Sequence, residues 1–385
     1  MQEFINRFTE FFGFKPTVFA QAPGRLELLG NHTDYNEGFV LSCAVSQNIR
    51  FALAPVAGNE CRVVDFRDGH VMKFTLDQLD APPPRNGSRY IIGMMRQLRD
   101  RGCRLGAFCG ALQSSVPLGA GMSSSAALEI SCGLAIGGEF GIELSKPEWA
   151  RAGQGVENDY LGLKTGLLDQ FSSLFGQKDH IIMSDFRTVE VINTMPLPPG
   201  YVFVVINSMK KHHLVDSDYN VRRQDCESAA AKLSAVYPGV KTLRDVSMKQ
   251  LDDAKNSLSQ REYSRARHVV GECERVKLAL DLLNNGEVGK FGQLLFDSHE
   301  SSRVNFENST PELDYLVELA HSIPGCLGAR LSGGGFGGIT IHLVKADDAA
   351  QYASRVCAAY KLKTGIDAES FICELGAGAS AMAVR

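Results

Sequence analysis

The residues most able to do chemistry fall in four short stretches. The first is Pro117-Leu118-Gly119-Ala120-Gly121-Met122-Ser123-Ser124-Ser125-Ala126-Ala127. Glycine lets backbone N–H groups converge with no Cβ in the way. The helix that should follow leaves N–H donors free in its first turn and places a partial positive charge there. Such a loop cradles an anion, most naturally a phosphate. The serines can cap the helix, and one hydroxyl can reach a metal ion. The spacing is neither G-x-x-x-x-G-K-[ST] nor G-x-G-x-x-G. Read alone, the stretch also suits an ordinary glycine turn with a serine cap.

The second stretch, Ala22 to Asn36, carries Arg25, His32, the carboxylates Glu27 and Asp34 and the amides Asn31 and Asn36. Polar groups this dense beside an apolar strand suit a site that hydrogen-bonds a polyol. Asp34 can accept from two adjacent hydroxyls, and His32 can donate or accept. A polar turn with Asp34 capping a helix is the simpler alternative. The third stretch is Gly166-Leu167-Leu168-Asp169-Gln170, with Glu157 twelve residues before Asp169. A carboxylate among apolar neighbours must be paired or functional, because leaving it buried and bare is expensive. A structural Asp bonded to backbone N–H groups is the alternative there, and exposure on a helix would explain Glu157 equally well. The fourth runs from Gly328 to Gly338, with five glycines in its last six positions. Glycine between two apolar strands sacrifices chain entropy, so it signals a close backbone approach or a wide hairpin turn.

The surrounding pattern supplies the elements that must hold these stretches. Alternating or β-branched runs predict strands over Ile49–Val56, Cys61–Phe66, Val71–Leu76, Phe108–Val116, His180–Asp185 and Val189–Asn193. Apolar spacing predicts helices over Tyr90–Arg101, Ser123–Gly137 and Lys146–Tyr160. Met195–Gly200, with three prolines, reads as a linker. Beyond it come a strand Tyr201–Asn207 and helices Tyr219–Tyr237, Arg261–Asn284, Val288–Phe306 and Pro311–His321. Strands Gly328–Ser332 and Gly338–Val344, a helix Asp347–Leu362 and a strand Phe371–Leu375 close the chain. Strand and helix mix without strict alternation, so the class is α+β.

At 385 residues the chain is long enough for two packed domains. It is 44% hydrophobic and 22% charged, with a net charge of −4, so nothing suggests a nucleic-acid footprint. No run approaches the ~20 apolar residues of a membrane helix. Glu3, Arg7, Glu10 and Lys15 break up the N-terminus as a signal peptide. Ten cysteines without a C-x-x-C pair fit free thiols in a reducing cytoplasm and argue against structural zinc.

Taken in order, A-P-G-R, then P-x-G-x-G-x-S-S-S-A, then G-G-G-F-G-G resemble the three signatures of the GHMP small-molecule kinases. Gly30–Asn36, Gly166–Phe171 and Tyr219–Cys226 make the chain similar to the galactokinases within that superfamily, from about residue 10 onward. The resemblance implies an N-terminal ribosomal-protein-S5-like domain over 1–195 and a C-terminal ferredoxin-like α+β domain over 196–385, with the active site between them. It implies ATP, Mg²⁺ and transfer of the γ-phosphoryl group to the anomeric hydroxyl of galactose. Asp169 would be the base, with Arg25 beside it. Pro117, Gly119, Ala120, Gly121, Met122, Ser123, Ser124, Ser125 and Ala126 would bind ATP. Ser125 and Glu157 would hold Mg²⁺, with Ser124 as the other serine in reach. Asn31, His32, Asp34, Gly166 and Tyr219 match sugar-binding positions, and Gly333, Gly334, Gly335 and Gly337 would line the site by backbone. A monomer in the cytoplasm, with sugar and ATP as partners and neither nucleic acid nor membrane, completes the expectation.

Two positions depart from the family pattern. Asn31 stands where galactokinases usually carry a Glu that contacts the sugar's C6 hydroxyl, and Glu27 stands where they usually carry an amide. Between the Ser-His and Pro-Glu-Leu-Asp ends of Ser298–Asp314, Arg303-Val304-Asn305-Phe306 replaces an acidic, tyrosine-containing stretch. These changes open the alternative of a C6-modified sugar such as galacturonate. A non-catalytic sugar sensor on the same fold is the third reading.

Overall fold

A computed structural model describes residues 1–117, 121–211 and 215–385, and its strands form two sheets. Gln2–Phe12 is a helix (α1) that buries Phe4, Ile5 and Phe8 along one stripe. Then follow β1 (Val18–Leu29), β2 (Phe39–Pro55), β3 (Glu60–Asp65), β4 (Val71–Thr75), α2 (Ser88–Asp100), β5 (Phe108–Ser114), α3 (Ser124–Phe140), α4 (Lys146–Gly155), α5 (Leu168–Phe175), β6 (His180–Asp185) and β7 (Glu190–Pro196). The remainder is β8 (Tyr201–Lys211), α6 (Val215–Val236), α7 (Met248–Asp253), α8 (Gln260–Asn284), α9 (Val288–Ser301), α10 (Pro311–Ser322), β9 (Cys326–Ser332), β10 (Gly337–Lys345), α11 (Ala349–Thr364), β11 (Glu369–Cys373) and β12 (Ser380–Ala383).

The first sheet has eight strands, ordered β12-β1-β2-β5-β3-β4, with β6 on β2 and β7 on β6. The second is β11-β8-β10-β9. All pairings are antiparallel except β3 with β5, the pattern of an α+β fold rather than of crossover units. The sheets do not divide cleanly at the linker, because β12 returns to pair with β1. Helix α3 packs on β1 and β2 and is buried from Ala126 to Gly133, so it is apolar nearly all round. That position sets Ser124 and Ser125, in its first turn, against the sheet that carries Arg25.

Five elements exceed the sequence-based expectation: α1, β1, α5, α7 and β12. Two expected helices change character near their ends. The Lys146–Tyr160 segment is α-helical to Gly155 and then winds as a π-helical turn over Val156–Tyr160. The Val288–Phe306 segment does the same over Ser302–Phe306. Such turns admit one extra residue and frequently mark functional sites. The first carries Glu157; the second carries Phe306, whose ring stacks on His32 at 4.3 Å.

Candidate active site

β1 reaches the site through an irregular stretch: its pairing with β2 shifts between Pro23 and Arg25 and again between Glu27 and Leu29. Such bulges re-aim side chains beside active sites. Arg25 lies between the shifts and forks onto Asp169. Its Nε donates to Oδ1 at 2.9 Å, its Nη2 meets the same oxygen at 2.7 Å, and its Nη1 donates to the Gly121 carbonyl at 2.6 Å. Asp169 sits in the first turn of α5, where the helix dipole favours a carboxylate. Its side chain is 28% exposed against 5% for Arg25, so one side of the carboxylate stays open.

Ser123 donates its hydroxyl to Asp169 Oδ2 and therefore does not cap α3, as the sequence had suggested for these serines. Its backbone is left-handed, at φ 56°, which turns the hydroxyl away from the helix. Ser125 donates to Glu157 Oε1 at 3.1 Å, and Thr165 donates to Oε2 at 2.7 Å. Glu157 is buried, not exposed on a helix surface. Burial, and then the charge of Asp169, push its carboxyl above the usual range. A carboxylate in that position gains from a nearby cation. Among the described residues no three His, Cys, Asp or Glu side chains converge as a metal cage. Two hard oxygen donors fit Mg²⁺, which keeps waters and substrate phosphates as its other ligands. Gly119 and Ala120, expected in the phosphate loop, lie outside the described residues.

A cavity of about 190 Å³ opens beside the Arg25–Asp169 pair. It brings together Arg25, Asp169, Asn31, His32, Asp34, Gly166, Tyr219, Gly333 and Gly334, though not Gly335 or Gly337. Asp34 accepts from the Leu168 N–H at 3.2 Å and lies so close to Gly166 that a side chain there would overlap its carboxylate. Burial pushes the Asp34 carboxyl up and the Tyr219 phenol well above its usual range. A second cavity of about 380 Å³ adjoins Ser124 and Ser125 and is lined by Asp65, Arg67, His70, Asn86, Arg89 and Tyr90. A roomier groove of about 770 Å³, along the linker and residues 372–378, carries none of these groups.

His32 and Asn31 are held more tightly than the sequence implied. The Gly334 carbonyl can only accept, so His32 Nε2 carries the proton toward it at 3.1 Å, and Tyr35 donates to Nδ1 at 2.9 Å. Burial, and then the neighbouring His268, bring the imidazole down to about 3, so it is neutral with both nitrogens engaged. The two Nδ2 hydrogens of Asn31 go to Glu27 Oε1 and the Gly333 carbonyl, both at 2.9 Å. Its Oδ1 accepts from Asn308 at 3.0 Å.

Several residues of this network were not anticipated. Glu272 of α8 accepts the N–H groups of Gly30 and Asn31 at 2.8 and 2.9 Å, and His268, one turn earlier, donates to the Asn31 carbonyl at 3.1 Å. Burial would raise Glu272, but Arg275 beside it, at 2.6 Å, holds it far below the usual range. Arg330 of β9 pairs with Glu27 at 3.0 Å, both buried. Glu129, deep in α3, accepts from Gln170 at 2.9 Å and is pushed well up by burial and by Glu157. A charged residue in an otherwise apolar helix was the available signal for Glu129; Glu27, which pairs with Arg330, and the N–H groups that Glu272 accepts are too distant in sequence to be read.

Residues 6–55 match the galactokinase galactose-binding signature, 89–177 the GHMP kinases N-terminal domain and 279–362 the GHMP kinases C-terminal model. The chain is 37% identical to the galactokinase of Roseiflexus sp. (strain RS-1) over 378 residues, 98% of this chain and 96% of that one. It is 38% identical to the galactokinase of Chloroflexus aggregans over 375 residues, 97% and 95% of the two. The structure superposes on Lactococcus lactis galactokinase complexed with galactose with a TM-score of 0.93 at 30% identity, covering 98% and 99% of the chains. Methanococcus jannaschii mevalonate kinase shares the fold, with a TM-score of 0.65 at 17% identity over 94% and 98%. Matching family models, relatives aligned over nearly their whole length and the two-domain α+β fold together make this chain a member of the galactokinase family of the GHMP kinases.

Proposed function

We propose that the chain transfers the γ-phosphoryl group of ATP to the anomeric hydroxyl of galactose, giving galactose 1-phosphate and ADP. The observation that carries this reading is the Arg25–Asp169–Ser123 constellation at the edge of a monosaccharide-sized cavity, next to the first turn of α3. The anomeric hydroxyl would lie against the open side of Asp169, which takes its proton as the oxygen attacks phosphorus. Arg25 holds Asp169 in place and faces the charge that builds on the transferring group. Phosphoryl transfer depends mainly on positioning and electrostatics, so a fixed fork serves it well.

Pro117, Gly121, Met122 and Ser123 to Ala126 are read as the ATP loop, and the cavity beside Ser124 as room for the rest of the nucleotide. Ser125 and Glu157 would hold Mg²⁺, which when bound spreads the charge of the β- and γ-phosphates. Asn31, His32, Asp34, Gly166 and Tyr219 are read as the sugar enclosure. The lobes are taken as 1–195, S5-like, and 196–385, ferredoxin-like. Among the described residues no helix is long and apolar enough to cross a membrane. We read the protein as a cytoplasmic monomer.

The test is ADP release with galactose, galacturonate, N-acetylgalactosamine, glucose and arabinose. Galactose should give the highest kcat/KM. Binding of galactose without ADP release from any sugar would overturn the kinase reading in favour of a sensor.

A further inference from the structure

We propose that Glu272 is a positioning residue for sugar binding: from α8 its carboxylate fixes the backbone of Gly30 and Asn31, and so sets where His32 and Asp34 stand in the cavity. The inference rests on the reading of Asn31, His32 and Asp34 as a sugar enclosure, and on the following contacts for the role of Glu272.

The segment Gly30–Thr33 lies between β1 and β2 and belongs to neither strand. Gly30 and His32 both have left-handed backbone, at φ 95° and 60°. A Cβ at Gly30 would overlap the Phe39 carbonyl. Left-handed backbone at a histidine is unfavourable and persists only where the surroundings over-determine it. With no strand ladder to do so, side chains hold the segment. Glu272 Oε2 accepts both the Gly30 and the Asn31 N–H, and His268 donates to the Asn31 carbonyl. Asn36 donates to the His32 carbonyl at 2.9 Å, and the Thr33 hydroxyl to the Gly30 carbonyl at 2.8 Å.

Two of these holders come from one face of α8. Arg265, His268 and Glu272 recur at i, i+3 and i+7, and all three are buried. Arg265 donates to the Asn305 carbonyl in the second π-helical turn, and Ser301 just before it donates to His268 Nδ1 at 3.0 Å. The Phe306 ring of that turn packs on both His32 and His268, at 4.3 and 4.6 Å. One helix face therefore holds both the loop and the aromatic platform against His32.

Glutamine cannot fill the place of Glu272. Oε2 faces two backbone donors, and Oε1 faces Arg275 Nε at 2.6 Å. An amide has one acceptor oxygen, so its NH₂ must oppose either the loop N–H groups or Arg275. The loop then spends less time in the sugar-binding conformation, and apparent affinity falls with the populated fraction. Saturating sugar selects that conformation again, so the loss is one of binding rather than of turnover.

The experiment compares the natural protein with Glu272→Gln by galactose calorimetry and steady-state ADP release, with circular dichroism to show that the variant folds. It also follows hydrogen exchange at the Gly30 and Asn31 amides of the natural protein. The Kd and KM for galactose should rise by about tenfold or more, while kcat at saturating galactose and the KM for ATP stay within about threefold. A merely structural glutamate would instead lower the folded fraction, reducing kcat and leaving the Kd unmoved. If the variant does not fold, the exchange measurement decides: both amides should exchange slowly without sugar, since the clamp is already formed. A galactose Kd within about threefold of the natural protein in the folded variant, a kcat loss with unchanged Kd, or fast exchange of both amides would overturn the proposal. Weakened galactose binding in the variant, with no ADP release from either protein, would remove the kinase reading and leave this one standing.

Discussion

Replacing Arg25 by Lys keeps the charge and removes the fork. Arg25 makes three short contacts: Nε at 2.9 Å and Nη2 at 2.7 Å to Asp169 Oδ1, and Nη1 at 2.6 Å to the Gly121 carbonyl. A lysine nitrogen occupies one point and cannot reach Asp169 and Gly121 from the same position. Two contacts are lost, each worth about 1.5–3 kcal/mol where one partner is charged. Water entering at the open side of Asp169 returns part of that. A net loss of about 2–4 kcal/mol in the transition state corresponds to a fall in kcat of roughly 30- to 1,000-fold. The assay is steady-state ADP release at saturating ATP and galactose. The KM for galactose should move by less than about threefold, because the fork acts on charge that builds during transfer. A kcat within about threefold of the natural enzyme would refute the argument and leave Arg25 a structural partner of Asp169.

Three further outcomes are expected. Asp169→Asn should lower kcat by about 10²–10⁴-fold while galactose still binds, measured by calorimetry beside turnover; a loss below about tenfold removes Asp169 as base. Ser125→Ala and Glu157→Gln should each raise the Mg²⁺ concentration at half-maximal rate, and unchanged titrations would place the ion elsewhere. His342 is fully buried in β10 between Thr340 and the Tyr352 hydroxyl, and burial lowers it to about 3. Below its ordinary value of about 6.5 the unfolded chain takes up a proton that the folded chain refuses, so stability is full above that pH and falls on acidification, by up to about 1.4 kcal/mol per pH unit for one such group. The urea midpoint should therefore drop between pH 7 and pH 5, less steeply in His342→Gln; equal slopes would show that another group controls this limb.

The local motifs were legible because each needs only its neighbours. The serines after Gly121 open a helix, as their types implied. β1 was harder, since Arg25 and Glu27 make a buried strand look polar. Their counter-charges, Asp169 and Arg330, come from elements far along the chain. Glu157 was left between two readings for a related reason. An α-helical period carried through Tyr160 places it ambiguously, whereas the π-helical turn from Val156 aims it at Ser125. The single amphipathic stripe of α1 was readable in principle, in Phe4, Ile5 and Phe8. The four exposed residues of β12 held no pattern at all.

That last strand has a bearing on how the molecule comes into being. Val18 to Gln21 find partners in Ala383 to Ser380, so one edge of the first sheet is completed by residues made roughly 360 positions later, tens of seconds at ordinary rates of synthesis. Until then β1 has an open flank, and an open flank is a template for pairing with another chain. The nascent first lobe thus emerges with an unfinished seam, and its burden of misassembly should fall in the interval before the second lobe is made. Slowing translation beyond the linker would lengthen that exposure without altering a single contact of the finished fold.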